Sequence, residues 1–350
     1  MPKLKHKDTL MIAGGVAVAT AATLAVSALY AKMRTGQAER DNPPEGEFID
    51  IDRVRLHYIE RGQGPVVVLI HGNGSMIKDF ELSGIVDKLA ETNRVIVFDR
   101  PGYGHSDRPD FRNFDPRSQA ALFRRALLRL HVDDPVIVGH SWGTLVALWM
   151  GVMHPTAIRG LVLMSGYYYP SMRLDVPLLS MPAIPYFGTL LRHTLSPVLG
   201  RLMWPLIKRQ VFGPPATPEP FASNFPVWMT LRPGTLYASA SETAMMQAAA
   251  SELAPQFERL KVPVTLLAGS SDRLVSSKGQ TMRLHKAIRT SKLHMIDGKG
   301  HMLHHEAPDE VVLAIRQALA VPAPGELAVS GAANTTAHDM YGTHKGVSHG

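Results

Sequence analysis

Cysteine is missing from this chain altogether. Its absence excludes disulfides, a thiolate nucleophile and any cysteine-ligated metal. It leaves the compartment open, because a 350-residue chain with 45% hydrophobic residues can build a core without covalent staples. A strong charge imbalance is missing too. The 37 Lys and Arg face 30 Asp and Glu, a net charge of +7, and the basic residues are scattered. Their one modest cluster, "FRRALLRLH" at 123–131, reads as a solvated helix face, and no nucleic-acid partner is expected. Internal repeats are absent as well.

A long apolar run is present at the start. Residues 9–31, "TLMIAGGVAVATAATLAVSALYA", carry no charge and are long enough to cross a bilayer as one helix. Lys3, Lys5 and Lys7 precede the run and Lys32, Arg34 and Arg40 follow it, so the flanking charge barely orients it. "VSA" at 26–28 resembles a cleavage site, but the run exceeds the usual ~7–15 residues of a signal peptide's apolar core. The expectation is a retained single-span anchor over 1–33, joined by a polar linker, 34–47, to a folded body.

The body opens with "EFIDIDRVRLHYIE", whose alternation around a tight turn predicts a β-hairpin. Short apolar runs then alternate with helical patterns: "VVVLI" (66–70), "RVIVFD" (94–99), "PVIVG" (135–139), "RGLVLMS" (159–165), "PVTLLAG" (263–269) and "KLHMID" (292–297). Continuous Val/Ile/Leu strands of this kind belong to a parallel sheet covered on both faces, an α/β fold. The rhythm breaks over 166–262, which is rich in Pro, Met and aromatic residues and too long for a loop. A helical cap is expected there, between a first core part at 48–165 and a second at 263–320. The tail, 321–350, is polar and aperiodic and reads as disordered, so its His338, His344 and His349 read as solvated rather than metal-binding.

Chemistry concentrates around "GHSWG" (139–143), which matches G-x-S-x-G between a strand and an apolar helix. A sharp turn there holds Ser141 out of the core. The flanking positions must be small, as Gly139 and Gly143 are. The helix N-terminus beside the hydroxyl favours developing negative charge. His301, in "IDGKGHMLHHEAPDEV", follows the last strand and is the candidate base. Asp272, in "LLAGSSDRLVS", follows the preceding strand and is the candidate carboxylate that orients it. The backbone N–H of Trp142 and that of Asn73, in "LIHGNGS", are the candidate oxyanion donors. His304 and His305 read as surface histidines or as residues supporting the base from behind, and a metal set drawn from His301, His304 and His305 fits neither H-E-x-x-H nor H-x-x-E-H. No metal and no cofactor is expected. His105, Ser106 and Asp107 share the right residue types, but neighbours in sequence cannot converge on one another, and Asp99 reads as a structural loop carboxylate.

"HGNG", "DRPGYGHS", "GHSWG", "GSSD" and "GKGHMLHHEAP" in this order resemble the α/β-hydrolase superfamily over about residues 48–320. The resemblance implies a mostly parallel eight-stranded sheet with a helical cap inserted after the sixth strand. It implies Ser141 as nucleophile, Asp272 as acid and His301 as base. Relatives that open epoxides or remove halides carry Asp where this chain has Ser141, which argues against both activities. Acyl transfer from a carboxylic ester, through an acyl-enzyme, is the expected reaction on a small hydrophobic substrate. Carbon–carbon bond hydrolysis, perhydrolysis and a non-catalytic binding role on the same scaffold are the alternatives. Met181, Phe187, Trp204, Trp228, Met245 and Met246 either line a hydrophobic acyl pocket or pack cap against core.

Overall fold

The computed structural model describes residues 6–109 and 114–322. Eight strands form one sheet: β1 Glu47–Ile51, β2 Val54–Arg61, β3 Val66–Ile70, β4 Arg94–Phe98, β5 Val136–His140, β6 Gly160–Met164, β7 Val264–Gly269 and β8 Lys292–Ile296. Their order is β1-β2-β4-β3-β5-β6-β7-β8. β1 and β2 are the antiparallel hairpin, and β2 also pairs antiparallel with β4. Every other pairing is parallel. Asp52 and Arg53 both take positive φ, 49° and 64°, at the hairpin turn. That is the local twist a two-residue connection between right-twisted strands demands.

Helices cover both faces. α1 is His6–Asp41, α2 Ile77–Leu82, α3 Ile85–Ala90, α4 Pro116–Arg129 and α5 Gly143–Met153. The cap lies between β6 and β7 and holds α6 Val176–Ser180, α7 Phe187–His193, α8 Leu195–Phe212, α9 Glu219–Asn224, α10 Val227–Thr230 and α11 Pro233–Leu253. α12 Thr281–Ala287, α13 Leu303–Glu306 and α14 Pro308–Leu319 complete the body. The sheet's apolar strands are sandwiched between α4, α5 and α12 on one face and α3 and α14 on the other. Burial of Val, Ile and Leu on both faces of the central strands drives this arrangement.

One boundary differs from expectation. α1 does not stop at residue 33 but continues through Asp41, so only residues 42–46 of the expected linker 34–47 separate it from β1. Ala31, Thr35 and Ala38 recur one helical turn apart and are buried, and Ala38 joins a cluster with Phe212, Phe221 and Trp228 of the cap. Docking of that face keeps the polar "RTGQAERD" stretch helical. The tail expected at 321–350 falls outside the described residues apart from 321–322, and so do its three histidines. By length and composition Met11–Asp41 is able to cross a membrane, and its apolar window is unburied.

Candidate active site

The strand β5 delivers Ser141 at its C-terminal end and α5 departs two residues later. Ser141 takes φ +51°, and its N–H donates to Met164 O of the neighbouring strand at 2.9 Å. A Cβ on Gly139 would lie 2.7 Å from Gly143 O, and one on Gly143 would lie 2.3 Å from Ile70 O. Both positions therefore tolerate no side chain. Thr144 steadies the turn, donating through Oγ1 (2.6 Å) and through N–H (3.1 Å) to Ser141 O. Ser141 itself is half-buried at this edge.

β7 and β8 deliver the other two residues to the same edge. Asp272 Oδ2 accepts from His301 Nδ1 at 2.8 Å, and both side chains are buried. Asp272 Oδ1 accepts from the N–H groups of Leu274 (2.8 Å) and Val275 (2.9 Å), which fixes the carboxylate. A carboxylate only accepts, so His301 donates from Nδ1, and Nε2 is the ring nitrogen left to face a reacting group. The loop before His301 is clamped by Glu306, which accepts from Gly300 N–H at 2.7 Å and whose carboxyl is pushed up by burial. The cap takes part as well: His301 N–H donates to Val211 O of α8 at 3.1 Å. Asp272 and His301 are thus brought into contact. Ser141 sits beside His140, whose ring lies 5.0 Å from that of His301 and whose Nε2–H donates to His301 O at 3.1 Å. Burial, with His304 and His301 close by, holds His140 neutral, its pKa well below the usual histidine range. Among the described residues no hydrogen bond joins Ser141 Oγ to the His301 ring. Free hydrolytic sites commonly tighten this bond only with substrate in place.

The "HGNG" loop lies against the serine: a Cβ on Gly72 would sit 3.0 Å from Ser141 Cβ. Among the described residues neither the Asn73 nor the Trp142 backbone N–H makes a hydrogen bond. The Asn73 side chain is engaged elsewhere. Its Nδ2 donates to Ser239 O (3.1 Å) and Thr243 Oγ1 (3.2 Å) of α11, and its Oδ1 lies 3.1 Å from the Tyr103 hydroxyl oxygen.

A buried polar network behind this loop was not anticipated. Arg100, fully buried, donates through Nε to His71 O (2.8 Å) and through a terminal nitrogen to Gly72 O (2.8 Å). Its two terminal nitrogens also meet both carboxylate oxygens of Glu242 on α11, at 2.5 and 3.0 Å. Tyr103 OH donates to Glu242 at 2.7 Å and Gln119 Nε2 at 2.9 Å. His71 is held neutral, its pKa brought down to about 4 by burial and by the Arg100 charge. Its Nε2 accepts from the Arg100 backbone N–H at 3.0 Å and its Nδ1 donates to Gly72 O at 2.8 Å. A carboxylate flanked only by small residues in "SASETAMM" was the available sign, since an unpaired buried charge is prohibitive.

Asp99, Ser106 and Asp79 have structural partners. Asp99 accepts from His57 (2.6 Å) and from the N–H groups of Ile77 (2.8 Å) and His105 (2.9 Å). Ser106 Oγ donates to Asp99 O at 2.7 Å and accepts from His57 N–H at 2.8 Å. Asp79, His304 and His305 are buried together, with an oxygen and two ring nitrogens within 4.8 Å of one another, a set able to hold a metal ion. Asp79 uses those oxygens on His305 Nε2 (2.8 Å) and Ser75 Oγ (2.6 Å). Burial pushes its carboxyl up, but the two imidazoles overcome this and hold it well below the usual range. In the cap, Trp204 stacks on Phe225 at 5.7 Å, Trp228 packs edge-on to Tyr30 of α1 at 5.7 Å, and Met245 and Met246 pack against the core. These four pack one layer on another.

The family model for the alpha/beta hydrolase fold matches residues 65–308. The chain belongs to the α/β-hydrolase family. It is 26% identical over 293 residues to the cis-3-alkyl-4-alkyloxetan-2-one decarboxylase of Shewanella oneidensis, covering 78% of this chain and 88% of that one. It is 26% identical over 274 residues to the 2-(acetamidomethylene)succinate hydrolase of Mesorhizobium japonicum, covering 76% and 92%. Among solved structures it is similar to a membrane phospholipase A described as a bacterial virulence factor, with a TM-score of 0.60, 20% identity and coverage of 89% and 96%.

Proposed function

We propose that the chain is a membrane-anchored serine hydrolase that cleaves lipophilic carboxylic esters. The observation that carries this reading is the Asp272–His301 contact at 2.8 Å, at the same sheet edge as a serine at φ +51°. Ser141 Oγ bonds to the ester carbonyl carbon as its proton passes to His301 Nε2. The carbonyl electron pair moves onto oxygen, where the free N–H groups of Trp142 and Asn73 receive it. The C–O bond to the alcohol then breaks, and the leaving oxygen takes the proton from His301. Water next gives a proton to His301 and its oxygen to the acyl carbon, and Ser141 leaves with that proton. Asp272 stays ionised throughout and orients the imidazole.

An apolar cap and an apolar N-terminal helix support a substrate that partitions into lipid. The Shewanella relative's named substrate, an oxetanone, is itself a cyclic ester carrying two alkyl groups. Anchoring by α1 is supported by its uncharged run and by the bond from Ser27 Oγ, inside that run, to Thr194 O of the cap at 2.8 Å.

A fluorophosphonate probe tests the reading. The wild-type chain is expected to be labelled once, at Ser141, and Ser141→Ala to lose labelling and at least about 10³-fold in turnover of a p-nitrophenyl ester, with its melting temperature unchanged. Retained labelling or turnover in that variant would remove Ser141 from the chemistry.

A further inference from the structure

The cap displays apolar side chains to solvent on a scale a soluble surface does not tolerate. Tyr186 is 92% exposed, Met172 91%, Leu174 88% and Leu202 70%. Outside α1, all the exposed large apolar side chains among the described residues except Leu128, Met282, Met295 and Leu313 fall between Met172 and Ile207. A patch this concentrated marks an interaction surface.

The position of α1 decides what covers it. Residues 11–23 are all exposed, whereas Leu24, Ser27, Ala28 and Ala31 lose exposure along one helix face. Ser27 Oγ donates to Thr194 O, at the junction of α7 and α8, at 2.8 Å. The uncharged residues ahead of that face, 9–23, span about 22 Å at 1.5 Å each, short of the ~30 Å hydrocarbon core. The uncharged run continues to Ala31 and the first charge after it is Lys32. The missing ~8 Å must come from the segment that already lies against the cap. A bilayer deep enough to accommodate the whole uncharged run therefore reaches the level of Thr194, and the neighbouring apolar side chains of α7 and α8 meet lipid. The charges agree. Over 166–218 the sequence carries Arg173, Arg192, Arg201, Lys208 and Arg209 against the single acid Asp175, which Arg173 already binds at 2.6 Å. Long basic side chains beside an apolar face suit anionic headgroups.

We infer that the α6–α8 face of the cap is embedded in the leaflet that α1 enters, its apolar side chains among the upper acyl chains and its Arg and Lys residues among the headgroups. This rests on α1 being a retained span. It makes the cap a second membrane contact, next to the site, through which a lipid-soluble ester passes without crossing water.

The absence of cysteine makes the test direct. Single-cysteine variants Tyr186→Cys and Leu202→Cys on the cap, Val18→Cys on α1 and Leu128→Cys on α4 are labelled with an environment-sensitive fluorophore. Each full chain is reconstituted in phosphatidylcholine–phosphatidylglycerol vesicles and exposed to lipid-borne quencher, with hydrolysis of a soluble short-chain ester as the folding control. Quenching at positions 186 and 202 is expected to match that at 18 and to exceed that at 128 at least twofold. Quenching at 18 alone, with 186 and 202 no different from 128, would overturn the inference and leave the anchor standing. Absence of quenching at 18 would remove the anchor and the inference together. As a functional readout, the double variant Tyr186→Glu, Leu202→Glu is expected to lose at least tenfold in turnover of a vesicle-borne ester while keeping its rate on the soluble one. Equal loss on both esters, or none on either, would count against the cap as the lipid contact.

Discussion

Ser141 and His57 each hold a state that an isolated residue avoids, and each is held there by neighbours. A non-glycine residue at φ near +50° costs about 1–3 kcal/mol, which the Thr144 and Met164 bonds to Ser141 offset. His57 is buried with Nδ1 against the Asp99 carboxylate and Nε2 against Glu45 O, both at 2.6 Å. Two acceptors require two N–H groups, so the imidazolium is the matched form. Burial pulls its pKa down, but the Asp99 hydrogen bond and charge and the Glu45 carbonyl lift it above the ordinary value of 6.5. The folded state therefore binds this proton more tightly than the unfolded chain. The resulting stability is fully present below about pH 6.5 and is lost as pH rises through the raised folded value. The melting temperature is expected to fall between pH 6.5 and 9, and His57→Gln to flatten that slope; an unchanged slope in the variant would exclude His57 as its source. Legibility at this scale followed strand ends. Ser141 directly follows β5, and Asp272 and His301 lie in the loops that follow β7 and β8, so the sheet itself announces which edge they share. Arg100 also follows such a run, but its partner Glu242 lies 142 residues away, and no local pattern links the two.

Among the elements, α11 does more than roof the site. Through Glu242 it grips Arg100, and Arg100 in turn holds the carbonyls of His71 and Gly72. The loop bearing the Asn73 N–H is thereby fixed from the cap side. Glu242→Ala would strand a buried guanidinium and is expected to cost about 3–5 kcal/mol of stability, read by urea unfolding. Replacing both partners, with Arg100→Met and Glu242→Leu, is expected to recover most of that loss but not the turnover, because the loop carbonyls remain unheld. Full recovery of turnover would show that the pair has no positioning role. The strands were readable to within a residue or so because β-branched runs bounded by turns admit few alternatives. The C-terminal part of α1 was not, because Thr35, Gly36 and the polar residues around them favour a helix only once Ala31 and Ala38 find the cap.

For the whole molecule, the N-terminal helix belongs to the fold as much as to any membrane. Ala38 sits in one apolar cluster with Phe212, Phe221, Trp228 and Met302, and Met302 neighbours the candidate base. A chain beginning at residue 42 is expected to melt lower than one beginning at residue 24 and to bind an apolar dye, since cutting there bares Trp228. At about 2–4 °C per kcal/mol for a body of this size, loss of the docked turns should be visible by calorimetry. Identical melting and dye binding for the two would show that α1 is a passive tether. Its continuity has a mechanical result. A rod of 36 residues, about 54 Å long and clamped over its final turns, has no break between its apolar run and the folded body. With α1 as the proposed span, tilting the rod tilts the mouth of the site by the same angle, and membrane thickness would then steer where that mouth points.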